Sequence, residues 1–96
     1  MLELRPNCEN CDKELGPNSL EARICSFECT YCHECVEGVL KNVCPNCGGG
    51  FVERPIRPKD QLLKYPSSLV KVLKPIKWDT YQQLQDKNVD IPVNER

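Results

Sequence analysis

Residues 25–47 read CSFECTYCHECVEGVLKNVCPNC and place six cysteines within 23 residues. Two more lie upstream, in the tetrapeptide Cys8-Glu9-Asn10-Cys11. Three pairs have C-x-x-C spacing, in which a tight turn presents both sulfurs to one ion. Eight cysteines make two complete sets of four thiolates, the set that zinc binds tetrahedrally. We therefore predict two Zn²⁺ ions, with iron or an iron–sulfur cluster as the alternative that thiolate ligands leave open.

A disulfide framework is disfavoured. The first ten residues, MLELRPNCEN, contain neither the basic nor the apolar region of a secretory signal. No run approaches the roughly 18 apolar residues of a membrane span. We therefore expect a cytoplasmic protein with no membrane association, where thiols stay reduced.

The spacing of the cysteines distinguishes two ways of pairing them. The order is C-x2-C-x13-C-x3-C-x2-C-x2-C-x8-C-x2-C. Sequential sites, as in LIM modules, would need a longer gap before the last pair. The short gap of Val36–Val43 favours the interleaved cross-brace of RING domains. This arrangement assigns Cys8, Cys11, Cys32 and Cys35 to site 1, and Cys25, Cys29, Cys44 and Cys47 to site 2.

The residues between the cysteines fit the same architecture. Residues 23–25 and 30–32 are predicted strands of a hairpin, and Leu20, Ala22 and Ile24 alternate with polar residues as in a half-buried strand. Residues 33–41 place three apolar side chains on one face of a short helix. Phe51 and Val52 are expected to form a closing strand.

The predicted fold is a small zinc-stabilised α+β domain, a RING-like treble clef. Each C-x-x-C turn is called a knuckle below, and Gly48 follows the last one, Cys44–Cys47. Gly48 is expected to take a positive φ that turns backbone N–H groups toward sulfur. The core between the two sites is expected to contain Leu15, Ile24, Tyr31, Val36, Leu40 and Val43.

A family resemblance covers residues 1–58. The segments MLELRPNCENC, EARICSFECTYC and CPNCGGGFVERPIRP resemble a family of short bacterial proteins catalogued as a domain of unknown function. The resemblance implies a bacterial, cytosolic source and no particular activity.

The charge distribution bears on partners. Residues 1–58 carry six Lys/Arg and nine Asp/Glu, a net charge of −3, whereas residues 59–96 carry seven and five, a net charge of +2. Two zinc ions on eight thiolates would bring the cysteine-rich part near −7. This charge disfavours nucleic acid as a partner, since phosphate binding needs a basic surface.

Catalysis is also disfavoured, because eight cysteines fill two sites and leave no open position for a zinc-bound water. Ubiquitin-ligase activity is disfavoured because VEGVLKNV lacks the usual Trp and Gly48 replaces the usual basic residue. His33 is expected to lie on the helix surface. The remaining hypotheses are a non-catalytic zinc module that mediates protein–protein interaction and, as the alternative, a zinc/thiol redox or metal sensor.

Residues 59–96 are predicted to be a tail of short helices or disordered chain. The proline-containing stretch 54–58 is interpreted as a stiff spacer. Ser67–Ser68 are predicted to start a helix through Leu69–Leu73, and Asp79–Thr80 a second one. Neither is long enough to be stable alone, so we expect residues 69–84 to be ordered only by docking, with Trp78 as the candidate anchor.

Overall fold

A three-stranded antiparallel sheet forms the centre of the molecule in a computed structural model that describes all of residues 1–96. Strand β1 (Ala22–Ile24) pairs with β2 (Thr30–Cys32), in the register Ala22 to Cys32 and Ile24 to Thr30. Strand β3 (Val52–Glu53) pairs with the other edge of β1, which gives the order β2-β1-β3. The predicted hairpin and closing strand are therefore confirmed, each shifted by one residue at most.

The helix after the third cysteine pair begins where it was predicted. Helix α1 (His33–Cys35) follows β2 directly and continues as a π-helical turn, Val36–Leu40. Gly38 lies in this turn, where a Cβ would meet nothing within 4 Å. The turn ends with Lys41 and Asn42 both in the left-handed region, at φ 50° and 59°. This end of the helix turns the chain toward the last knuckle.

The core lies between the two groups of cysteines. Leu15, Tyr31, Val36, Leu40 and Val43 are buried as predicted, together with most of the cysteines. Ile24 is half-buried. Leu20 is 69% exposed, so the predicted strand alternation does not extend to it. The strand starts only at Ala22, where the pairing with β2 begins.

One buried cation was not predicted. Arg54, which the sequence assigns to the spacer, is only 2% exposed. Its guanidinium donates to the backbone oxygens of Arg5 and Gly16, each at 2.9 Å. Burial lowers the pKa of Arg54. Arg54 therefore joins the N-terminal segment to the loop before β1.

The segment after the spacer does not form the predicted helix. After helix α2 (Lys59–Leu62), residues 68–74 run extended along the N-terminal segment. Ser68 N–H donates to the oxygen of Leu4 at 3.0 Å, and Lys74 N–H to the oxygen of Glu9 at 2.8 Å. The prediction over Leu69–Leu73 is wrong because so short a helix gains little internally, while these backbone groups find partners in another segment.

The last helix packs on the core. Helix α3 (Trp78–Asn88) begins one residue before the predicted Asp79 and is followed by a 3₁₀ turn, Val93–Glu95. Tyr81 is buried, and its hydroxyl donates to the oxygens of Leu40 (2.9 Å) and Val43 (2.7 Å). Trp78 stays 44% exposed, so Tyr81 rather than Trp78 is the anchor. The radius of gyration, 13.6 Å, is near the value of about 13 Å for a compact chain of this size.

No helix combines the length and the apolar character that a membrane crossing requires.

Candidate metal centre

The first cluster comprises the four cysteines of the predicted site 1, and the fold brings them together. The sulfurs of Cys8, Cys11, Cys32 and Cys35 all lie within 4.8 Å of one another. The first two come from the N-terminal knuckle, and the other two from the end of β2 and from α1. Three of them are buried and Cys11 is exposed.

The second cluster comprises the cysteines of the predicted site 2. The sulfurs of Cys25, Cys44 and Cys47 lie within 4.8 Å of one another. Cys29 does not fall within this mutual distance, yet Asn46 connects it to the others. The Asn46 side-chain amide donates to Cys29 Sγ at 3.3 Å while its backbone N–H donates to Cys44 Sγ at 3.4 Å. The two clusters therefore interleave along the chain in a cross-brace-like arrangement, as the spacing predicts.

Both clusters share a local design that the prediction missed. The first and last knuckles read C-x-N-C, with Asn10 and Asn46 at the same position. Asn10 Nδ2 donates to Cys35 Sγ at 3.3 Å, as Asn46 Nδ2 does to Cys29 Sγ. Each asparagine thus contacts a sulfur of the opposite pair in its own cluster. The repeated C-x-N-C was visible in the sequence and is the signal that would have identified these donors.

The residue after each of these knuckles reverses the chain. Asp12 has φ 63° and Gly48 has φ 76°. Gly48 is required for a second reason, since a Cβ there would lie 2.7 Å from Asn88 Nδ2 of α3. The N–H of Gly49 donates to Cys47 Sγ at 3.4 Å, so the predicted turn of backbone amides toward sulfur is present one residue later.

Backbone amides also bear on the ionisation of the thiols. Burial raises the pKa of Cys25 to about 11, and it also raises the pKa of Cys35 and of Cys44. For Cys8 burial acts in the same direction, but hydrogen bonds from backbone groups of Cys11, Cys32 and Asn10 outweigh it and lower the pKa. Metal coordination would require every one of these thiols to lose its proton.

The first cluster has dimensions that suit zinc. With a Zn–S bond of about 2.3 Å, the edge of a ZnS₄ tetrahedron is about 3.8 Å. The sulfurs of Cys11 and Cys32 are 3.7 Å apart. The separation of these two sulfurs therefore matches the edge of a zinc–thiolate tetrahedron, and the other sulfur pairs of the cluster lie within 4.8 Å.

The only histidine lies outside both clusters. His33 Nδ1 is 3.2 Å from a guanidinium nitrogen of Arg23 and 3.8 Å from a carboxylate oxygen of Glu37. Its side chain is about half exposed, which agrees with the predicted helix-surface position.

A buried carboxylate, that of Glu9, connects the first knuckle to strand β2. Glu9 is 1% exposed, and one of its oxygens accepts from Thr30 N–H at 2.5 Å and from the Arg5 guanidinium at 2.6 Å. Its other oxygen has no hydrogen-bond partner. Sequence reasoning missed the burial of Glu9, because a glutamate inside a knuckle is expected to be solvated.

The comparisons with known proteins agree with the resemblance. The family described as "Protein of unknown function (DUF1272)" matches residues 1–57. An uncharacterized protein of Rhizobium meliloti (strain 1021) is 59% identical over 75 residues, which cover 78% of this chain and 89% of that protein. No solved structure matches the chain. A family match over more than half of the chain, with a relative this similar, places the protein in the DUF1272 family.

Proposed function

We propose that this protein is a non-catalytic zinc-binding module of the bacterial cytosol that mediates protein–protein interaction. Each cluster would hold one Zn²⁺ as a structural ion. The observation that carries the proposal is the interleaving of two cysteine clusters around one small core.

The core is too small to be stable without such ions. Its buried cluster has 13 residues, of which six are cysteines. Small domains with so little apolar surface commonly depend on a metal for folding. Two Cys₄ sites leave no coordination position for a reacting water, which supports a structural rather than a catalytic role.

A protein partner is supported by the exposed apolar side chains of the segment that follows the spacer. Leu63 is 90% exposed, Leu69 94% and Val70 66%. Apolar side chains exposed close together in one segment are typical of a surface that contacts another protein. The negative charge of the cysteine-rich part supports the same class of partner over nucleic acid.

Native mass spectrometry with elemental analysis tests the metal content, and we expect two zinc ions per chain. Cadmium substitution then tests the pairing, because each cadmium nucleus couples to the β-protons of its own four cysteines. We expect one set to comprise Cys8, Cys11, Cys32 and Cys35, and the other Cys25, Cys29, Cys44 and Cys47. One metal per chain, or sequential sets, would contradict the proposal.

The interaction role needs a separate test. A photo-crosslinking residue at Leu69 should capture one defined protein in the source cell, and the same residue in a Cys44→Ser background should not. Retention of the zinc form on nucleic-acid resin at two salt concentrations is the matched negative control. Salt-sensitive retention without a crosslinked protein would favour a nucleic-acid partner instead.

A zinc/thiol redox sensor is the second candidate, and one observation favours it. Cys11 is the exposed cysteine of the first cluster, 3.7 Å from the Cys32 sulfur. A peroxide could oxidise these two thiolates to a disulfide, with its own reduction to water and release of the zinc ion. Retention of both zinc ions under peroxide levels that the source cell experiences would exclude this function.

A further inference from the structure

A pocket beside the second cysteine cluster has no role so far. Its volume is about 560 Å³, and it opens between the last knuckle, the chain at residues 73–77 and helix α3. Pro45, Ile76 and Leu84 supply apolar walls. A cleft of this size with mostly apolar walls and a few polar groups is typical of a site for a small molecule.

The charged groups of the pocket all have the same sign. Lys74 and Lys77 line it and form no ion pair, and no acidic side chain lines it. Lys77 is also the N-cap residue of α3, where no side chain caps the helix. The positive charge of a lysine is unfavourable at this position, because the N-terminus of a helix already carries partial positive charge. An anion in the pocket would offset the charge of the lysines and the partial charge of the helix terminus.

A buried hydroxyl supplies a hydrogen-bond donor. Tyr31 lines the pocket and is 1% exposed. Its hydroxyl accepts from the Asn46 amide at 3.5 Å and donates to no acceptor. In contrast, the hydroxyl of Tyr81 uses its proton on backbone oxygens of the core. A buried donor without an acceptor is costly, and an acceptor in the pocket would satisfy it.

We propose that this pocket binds a small carboxylic acid with an apolar body. The carboxylate accepts from Tyr31 and lies near the ammonium groups of Lys74 and Lys77 at the start of α3. The apolar body packs on Pro45, Ile76 and Leu84. The ligand would be separate from the proposed metals, although Asn46 joins the pocket to the Cys29 sulfur.

The test titrates the full-length zinc-loaded chain with 4-phenylbutyrate and, separately, with its uncharged amide. The ring of Trp78, the only tryptophan, lies 5.3 Å from that of Tyr81, which lines the pocket, so its fluorescence reports binding. Backbone NMR shifts locate the bound acid. We expect saturable binding of the acid, with shifts confined to residues 31, 45–46 and 73–84. The amide should bind at least fivefold more weakly, about the effect of one charge at a helix terminus.

Two pairs of variants make the test specific. Lys77→Gln should weaken binding of 4-phenylbutyrate about fivefold, whereas Lys71→Gln, an exposed lysine of the same segment outside the pocket, should not. Thr80→Phe fills the pocket and should abolish binding, whereas Gln83→Phe on the exposed side of α3 should not. Zinc content of all four variants is measured first, so that failure of this proposal is distinct from failure of the metal sites.

Equal binding of acid and amide, or binding unaffected by Lys77→Gln and Thr80→Phe, would overturn the proposal. An acidic peptide that binds through these residues while 4-phenylbutyrate does not would also overturn it, in favour of a docking site for a protein.

Discussion

Asparagine at the third position of each C-x-N-C knuckle contributes a hydrogen bond to a cysteine sulfur of its own cluster. Such bonds stabilise the charge of a thiolate and orient it toward a metal. The two asparagines therefore belong to the candidate metal sites as much as the cysteines do, although neither would be a ligand.

Asn46→Ala removes two contacts in the second cluster's surroundings, to Cys29 and to Tyr31. We expect the affinity of one of the two zinc sites to fall about tenfold, the lower end of the effect of losing such a partner. Competition with a chromogenic chelator measures both sites, and exposed Asn94→Ala is the control. Identical affinities in the two variants would show that the amide contributes nothing to metal binding.

Arg54 is a residue whose removal should affect stability without affecting the cysteines. Arg54→Met leaves the oxygens of Arg5 and Gly16 without donors, which should lower the free energy of unfolding by roughly 2–4 kcal/mol. The free energy of unfolding of Arg54→Lys should lie between those of the unmodified protein and Arg54→Met, because a single ammonium lacks the guanidinium fork that reaches both oxygens. Urea unfolding at a fixed excess of free zinc measures this, with exposed Lys59→Met as the control. An unchanged midpoint for Arg54→Met would contradict it.

At the scale of the elements, α3 depends on Tyr81. Tyr81→Phe removes both hydroxyl bonds to the chain between α1 and the last knuckle, and docking should weaken by about 1–3 kcal/mol. Hydrogen exchange of residues 78–88 at neutral pH should accelerate, while exchange in β1 and β2 should not. Exposed Tyr65→Phe is the control. Equal acceleration in the strands would mean that Tyr81 supports the whole core rather than α3.

The same hydroxyl makes docking of α3 sensitive to high pH. Burial raises the pKa of Tyr81 to about 12, above the usual value of about 10 for an unfolded chain. The neutral phenol is therefore favoured in the fold. Its contribution is complete below about pH 10 and is lost as the pH rises toward 12. The fluorescence of Trp78, whose ring is 5.3 Å from that of Tyr81, should change over this range, and Tyr81→Phe should remove the change.

The elements that the sequence could predict are those fixed by cysteine spacing. The hairpin, the start of α1 and the pairing of the clusters all follow from where Cys25–Cys47 fall along the chain. The environments of Arg54 and Glu9 could not be predicted, because each is buried by segments distant in sequence. The extended course of residues 68–74 was missed for the same reason, since local propensity contains no information about a partner such as Leu4.

At the scale of the whole molecule, the metals should decide whether there is a fold at all. Chelation under reducing conditions should unfold residues 1–58, because metal binding and folding are linked in domains this small. Helix α3 should be released with them, since Gln85 and Asn88 donate to the backbone oxygens of Val39 and Gly48 in the cysteine-rich part. Loss of dispersed amide signals in NMR measures both events. Dispersed signals in the metal-free protein would contradict the prediction.

Interleaving of the clusters has a consequence for synthesis of the chain. The ribosome releases Cys35, the last member of the first cluster, twelve residues before Cys47, the last member of the second. When the first cluster is complete, Cys25 and Cys29 have already emerged and lack their partners. The growing polypeptide therefore passes through a stage in which the first cluster is complete but Cys25 and Cys29 still lack Cys44 and Cys47. In a cell short of zinc, the thiols of Cys25 and Cys29 would then be free to react with other thiols or to bind other metal ions.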